Sequence, residues 1–221
     1  MARKTVLTIA AIMLVVVVGA ALAGCTTQTK TVVKEAELKV SKEIPIITDT
    51  KAKTVTIYAE VNGKYFSEPT RHGIVSTLGS NGGKSLLSSY VDPIVFNEAL
   101  VKIGAKPGDN IKLDSPAGTI VEGTTLDVKV KSGSRTFNFA DAVKAEPATQ
   151  KFDVRFGGNR KNASELKTGC ILCLDACAVG ITSNAGWGWS SFKEGKVKFF
   201  GKEDVLPSDG SPVSVIFSIK K

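Results

Sequence analysis

An α+β domain built mainly of antiparallel sheet is the fold class this chain predicts, and three observations carry the prediction. Two-residue alternation of apolar and polar side chains recurs from Lys53 to the C-terminus. In Leu126–Lys131 that alternation leaves one face apolar and the other charged, as a sheet with one wet face requires. A single prominent stretch, about residues 92–104, carries a helical stripe instead. Eight or so strands with one or two helices place the domain in the α+β class.

The N-terminus stands apart from that domain. Arg3 and Lys4 precede an unbroken apolar and small-residue run from Val6 to Ala23, the layout of an export signal. The run ends in Leu22-Ala23-Gly24-Cys25, which resembles a bacterial lipoprotein signal. Residues 1–24 are then a signal peptide, and Cys25 becomes the lipidated N-terminus. An uncleaved membrane anchor is the competing reading, since the run is just long enough to span a bilayer. Either way the remainder lies in the cell envelope, outside the cytoplasm and tethered to a membrane. Residues 25–43, polar, Thr- and Lys-rich and free of aromatics, read as a flexible tether. Residues 44–221 form a single β-rich domain.

Within the domain, Thr54–Val61 is a strand followed by the Asn62-Gly63 turn signal. Further alternating runs span Asn110–Asp114, Thr119–Glu122, Leu126–Lys131, Thr136–Phe139, Phe152–Phe156, Lys196–Phe200 and Val213–Ile219. The helix has Asp92 as its cap and Pro93 in its first turn. Val95, Phe96, Ala99, Leu100 and Ile103 make its stripe, and Gly104 with Pro107 ends it. A second short helix is expected near Asp141. Phe156–Ser190 breaks the strand pattern and carries both tryptophans, as a functional loop on a rigid sheet does.

Charge excludes little but helps. The formal net charge is +8, and +6 once Arg3 and Lys4 are removed. A basic exported domain suits anionic headgroups or an acidic redox partner. No basic run is interleaved with aromatics, so nucleic acid is not a partner. Gly79–Ser85 ends like a Walker A loop, but the first glycine of that pattern would fall at Leu78, and no helical pattern follows. It reads as a turn, with no nucleotide. Nor is there a paired-carboxylate motif or a nucleophile with a base beside it. An electron carrier or binding protein fits better than an enzyme.

The chemistry concentrates at residues 168–186. Cys170, Cys173 and Cys177, spaced C-x2-C-x3-C, are the only cysteines after Cys25. Three thiolates so close can hold one soft metal or cluster. Aligned on the x3 spacing, they resemble the last three cysteines of a bacterial ferredoxin loop. Lys167 then stands where its first cysteine would, and Ala178 where its proline would. An iron–sulfur cluster (4Fe–4S or 3Fe–4S) carrying single electrons is the leading reading. A fourth ligand could come from Asp175 or from His72, the sole histidine. Zn²⁺ or Cu⁺ on the same thiolates is the alternative metal reading. A structural disulfide or thiol switch with no metal is the other, although it leaves one thiol over. Gly169, Gly180 and Asn184 are expected to let amides approach the sulfurs, Lys167 to favour thiolate, and Trp187 and Trp189 to shield the site.

The longer pattern resembles a known family. Arg155–Asn159, Thr168–Cys177, Val179–Ala185 and Gly195–Phe199, together with Leu87 through Gly108, are similar to the YdjY-type family of exported, four-iron ferredoxin-like proteins. The likeness covers most of residues 53–219. It implies Cys170, Cys173 and Cys177 as ligands and assigns no other.

Overall fold

The computed structural model describes residues 39–221. The expected signal peptide, the lipidation site Cys25 and most of the tether lie outside those residues. Twelve strands and two helices follow in chain order. They are β1 (Ile46–Asp49), β2 (Thr54–Val61), β3 (His72–Ser76), β4 (Ser85–Ser89), α1 (Pro93–Lys102), β5 (Thr125–Ser132) and β6 (Arg135–Asn138). Then come β7 (Val143–Glu146), β8 (Val154–Phe156), α2 (Arg160–Leu166), β9 (Cys170–Cys173), β10 (Thr182–Asn184), β11 (Lys198–Gly201) and β12 (Pro212–Ile219).

The α+β expectation does not hold. Eight strands, in the order β2-β12-β5-β8-β10-β9-β3-β4, close on themselves through a β2–β4 pairing, so the protein is a mostly-β closed barrel. The expected helix exists but is one of two short ones, ten residues against seven. Closure works because β2 is long enough to serve two partners on one edge. Thr54–Ile57 pair with β1, and Ala59–Val61 pair with β4. Six junctions of the barrel are antiparallel, while β9–β10 and β3–β4 are parallel. A closed sheet exposes no long edge. β6 extends β5, and β7 with β11 makes a separate ribbon.

Alternation fills the core as expected in the long strands. Val55, Ile57, Ala59 and Val61 of β2 are buried with Val128 and Val130 of β5 and Val213, Val215 and Phe217 of β12. Asp92 caps α1 by accepting from the Ile94 and Val95 amides at 2.7 and 3.3 Å. Its buried face is Phe96, Asn97, Ala99 and Leu100, with Phe96 edge-on to Phe217 at 4.8 Å. Val95, placed on the stripe by sequence, is exposed.

Two alternating runs are not strands. Asn110–Asp114 and Thr119–Glu122 form a loop. The Asn110 amide group makes the cross-link there, donating to Ile120 O and accepting from Glu122 N, where a ladder would use backbone. The expected helix near Asp141 is a single 3₁₀ turn, Phe139–Ala142.

Candidate metal centre

Three adjoining barrel strands build the site. β3 begins with His72, which pairs in register with Cys173 of β9. The pairing then slips at two points, so the ladder is irregular where the sulfurs sit. In a regular strand Cys170 and Cys173, three apart, would face opposite sides. Here both, with Cys177 from the following loop, form one cluster with Val75, edged by Val179 and Trp189. β10 lies parallel to β9, with Ser183 opposite Cys173.

The sulfurs are buried, at 1% exposure for Cys170, 0% for Cys173 and 2% for Cys177, and all three are free thiols. Cys170 Sγ and His72 Nδ1 are 3.7 Å apart. The donor atoms of His72, Cys170 and Cys173 all lie within 4.8 Å of one another. Cys173 sits between the other two and hydrogen-bonds both, which pushes its own thiol far up. The same bond from Cys173, assisted by His72 and opposed by burial, brings Cys170 down to about 4. Cys177 is also lowered, first by Cys173 and then, against burial, by Arg71.

Of the two candidate fourth ligands, the structure brings one to the sulfurs. His72 is there. Asp175, fully buried, is spoken for: Arg71 donates to its Oδ1 through Nε at 2.9 Å and Nη2 at 2.7 Å, and Phe192 N reaches Oδ2 at 3.2 Å. Burial pushes the Asp175 carboxyl up, with the guanidinium and that amide acting against it. Arg71 also donates to Ala176 O at 3.2 Å and lies over the Trp189 ring at 5.6 Å. Burial works against its charge, but the flanking Cys177, Asp175 and Cys173 hold the guanidinium firmly protonated. Arg71 is thus the cation facing the sulfurs. The sequence pointed to Lys167, which ends α2 in a left-handed conformation and is exposed. Nothing in the spacing of Arg71, a hundred residues upstream, marks it out.

The loops around the site are equally specific. The turn read as a phosphate-loop decoy is a turn, and it covers Cys170. Asn81 Nδ2 lies 3.8 Å from Cys170 Sγ, while Ser80 N and Asn81 N bond Lys167 O and Thr168 O at 3.0 and 3.1 Å. A Cβ on Gly79 would stand 2.3 Å from Gly169 N, so only glycine permits that approach. Trp187 belongs to the main core, edge-on to Phe199 at 6.2 Å, whereas Trp189 packs on the cysteines. Asn184 braces the fold by donating to Leu174 O at 3.0 Å and accepting from Asp153 N at 2.9 Å.

Residues 46–218 match the profile of the YdjY domain. The chain belongs to the YdjY domain family. It is 41% identical over 214 residues to "Uncharacterized protein YdjY" of Escherichia coli (strain K12), covering 96% of this chain and 94% of that one. No solved structure matches. The YdjY segment Arg155–Asn159 now has a physical role. Asn159, buried at the start of α2, donates to Cys177 O at 2.8 Å and Gly180 O at 3.0 Å, and Asn162 donates to Ala178 O at 2.8 Å. These bonds fix the backbone that carries Cys177.

The fit to a metal can be tested on the donors. A tetrahedral ion with bonds of about 2.3 Å to sulfur and about 2.0–2.1 Å to nitrogen holds those two ligands about 3.6 Å apart. The 3.7 Å between Cys170 Sγ and His72 Nδ1 agrees. A four-iron cubane places each thiolate on a different iron, so its sulfurs must stand farther apart than those of Cys170 and Cys173, which lie within 4.8 Å of each other. The His/Cys group is compatible with metal binding, and its spacing suits one ion.

Proposed function

We propose that this chain is an extracytoplasmic, membrane-tethered metal protein that holds one soft ion, Zn²⁺ or Cu⁺, on Cys170, Cys173 and His72, with the Cys177 sulfur packed beside that group rather than within it. The observation that carries the reading is the convergence of three donor atoms within 4.8 Å in a buried, disulfide-free pocket. Soft thiolates with one imidazole select such ions. Arg71 offsets part of the negative charge that the thiolates bring. The bound ion would supply either a structural clasp between β3 and β9 or, with copper, a one-electron couple. Tethering through a lipid on Cys25 rests on the Leu-Ala-Gly-Cys sequence alone.

A second reading, an iron–sulfur cluster carrying electrons, is favoured by the C-x2-C-x3-C spacing. The two separate cleanly. Protein purified without oxygen should carry about one zinc or copper per chain under the first, and iron with labile sulfide and broad visible absorption under the second. Cys170→Ser and Cys173→Ser should each abolish retention of the ion. His72→Ala removes a ligand and should weaken it by more than the about 10–100-fold that loss of an outer hydrogen-bond partner costs. Full occupancy in either serine variant would remove that sulfur from the ligand set.

A further inference from the structure

Two buried side-chain atoms have no hydrogen-bond partner among the described residues, Thr168 Oγ1 and Ser183 Oγ, and both border the cysteines. Thr168 lies two residues before Cys170. Ser183 is opposite Cys173 in the parallel β9–β10 pair. The point where a Cβ on Gly180 would stand is 2.8 Å from Cys173 Sγ and 3.3 Å from Ser183 Oγ, so sulfur and hydroxyl flank one small space. The neighbours of Ser183 on β10 are fully used: Thr182 Oγ1 donates to Ile171 O at 2.8 Å, and Asn184 donates to Leu174 O. Ser183 alone on that strand is fully buried with an idle hydroxyl.

An idle hydroxyl in a dry core is costly, and alanine there would cost the fold nothing. A thiol is a feeble acceptor, whereas a metal-bound thiolate is an anion with free lone pairs. Resting on the metal reading above, we infer that Ser183 Oγ is an outer-shell donor to the Cys173 sulfur, a hydrogen bond that forms when that sulfur ligates the ion. Thr168 Oγ1 borders Cys170, whose thiol that side chain already helps to lower before any ion is bound. Neither hydroxyl touches the metal. Each orients its ligand and withdraws charge from it, and loss of such partners typically lowers metal affinity about 10–100-fold.

The test uses Ser183→Ala in the full domain, with Co²⁺ as a spectroscopic probe and Zn²⁺ affinity measured by competition with a chromophoric chelator. The expected result is an unchanged or raised melting temperature without metal, Zn²⁺ affinity lower by about 10–100-fold, and a displaced thiolate-to-Co²⁺ charge-transfer band. Thr168→Val should show the same division at smaller amplitude. Wild-type affinity with an unmoved band overturns the inference. So does a variant whose metal-free form is destabilised or unfolded, because the hydroxyl would then belong to the fold. If the wild type itself takes up neither Co²⁺ nor Zn²⁺, the metal reading fails rather than the role of Ser183.

Discussion

Gly180 meets Cys173 so closely that a Cβ would stand 2.8 Å from Sγ and 3.1 Å from Thr182 O, neither of which can give way cheaply in a packed strand pair. Gly180→Ala should therefore destabilise the domain by about 1–3 kcal/mol, the usual cost of overpacking, and displace the central sulfur. Thermal unfolding and metal content of one preparation check both effects; a variant with normal stability and full metal would show that the sulfur has room. Asp175 poses a different question at the same scale. Its carboxylate is fully buried against Arg71, which is 21% exposed. Breaking such a pair leaves one charge without its partner and costs about 3–5 kcal/mol. Asp175→Asn should thus lower the unfolding free energy, read from urea titration, by an amount near the low end of that range, since Arg71 keeps some water, yet leave the metal stoichiometry intact. Loss of the ion at unchanged stability would instead make the carboxylate a ligand.

At the scale of elements, Glu60 on β2 ties three segments together. It accepts from Tyr58 OH at 2.9 Å and from Tyr90 OH and Lys42 Nζ at 2.8 Å each. Burial pushes its carboxyl up, but the three donors outweigh burial and the net shift is downward. A carboxyl depressed on folding adds stability that is complete above its unfolded value, about 4.3, and is lost as pH falls through the folded value. Acid unfolding followed by circular dichroism should begin later in Glu60→Gln relative to its own neutral stability. Parallel acid limbs in the two proteins would contradict this. Strands of this kind were legible in sequence because one face is wet: β2, β5 and β12 alternate cleanly. β9 reads Cys-Ile-Leu-Cys with every residue buried, and β10 is buried throughout as well, so neither shows a period. The elements holding the candidate site were therefore the ones the periodicity missed. Asn110–Asp114 failed in the opposite way, alternating without pairing because a side chain supplies its cross-link.

At the scale of the whole molecule, barrel closure depends on which distant strands meet, and no local pattern records that. β2 joins β4 as well as β12, and β3 reaches across the sequence to β9. This is why one well-capped helix carried too much weight in the fold class. The same closure explains the half-legible site. The three cysteines are neighbours in sequence, whereas His72, Arg71 and Asn81 arrive with β3 and its following turn, about a hundred residues earlier. The account as a whole turns on that meeting of β3 with β9 around an ion. The most direct measurement is elemental analysis of the intact domain, isolated without oxygen, beside Cys173→Ser. The account predicts about one zinc or copper per chain in the wild type, no excess of iron, and none of that metal in the variant. Wild-type protein free of metal with two of its three thiols joined, or one carrying several irons with sulfide, would contradict it.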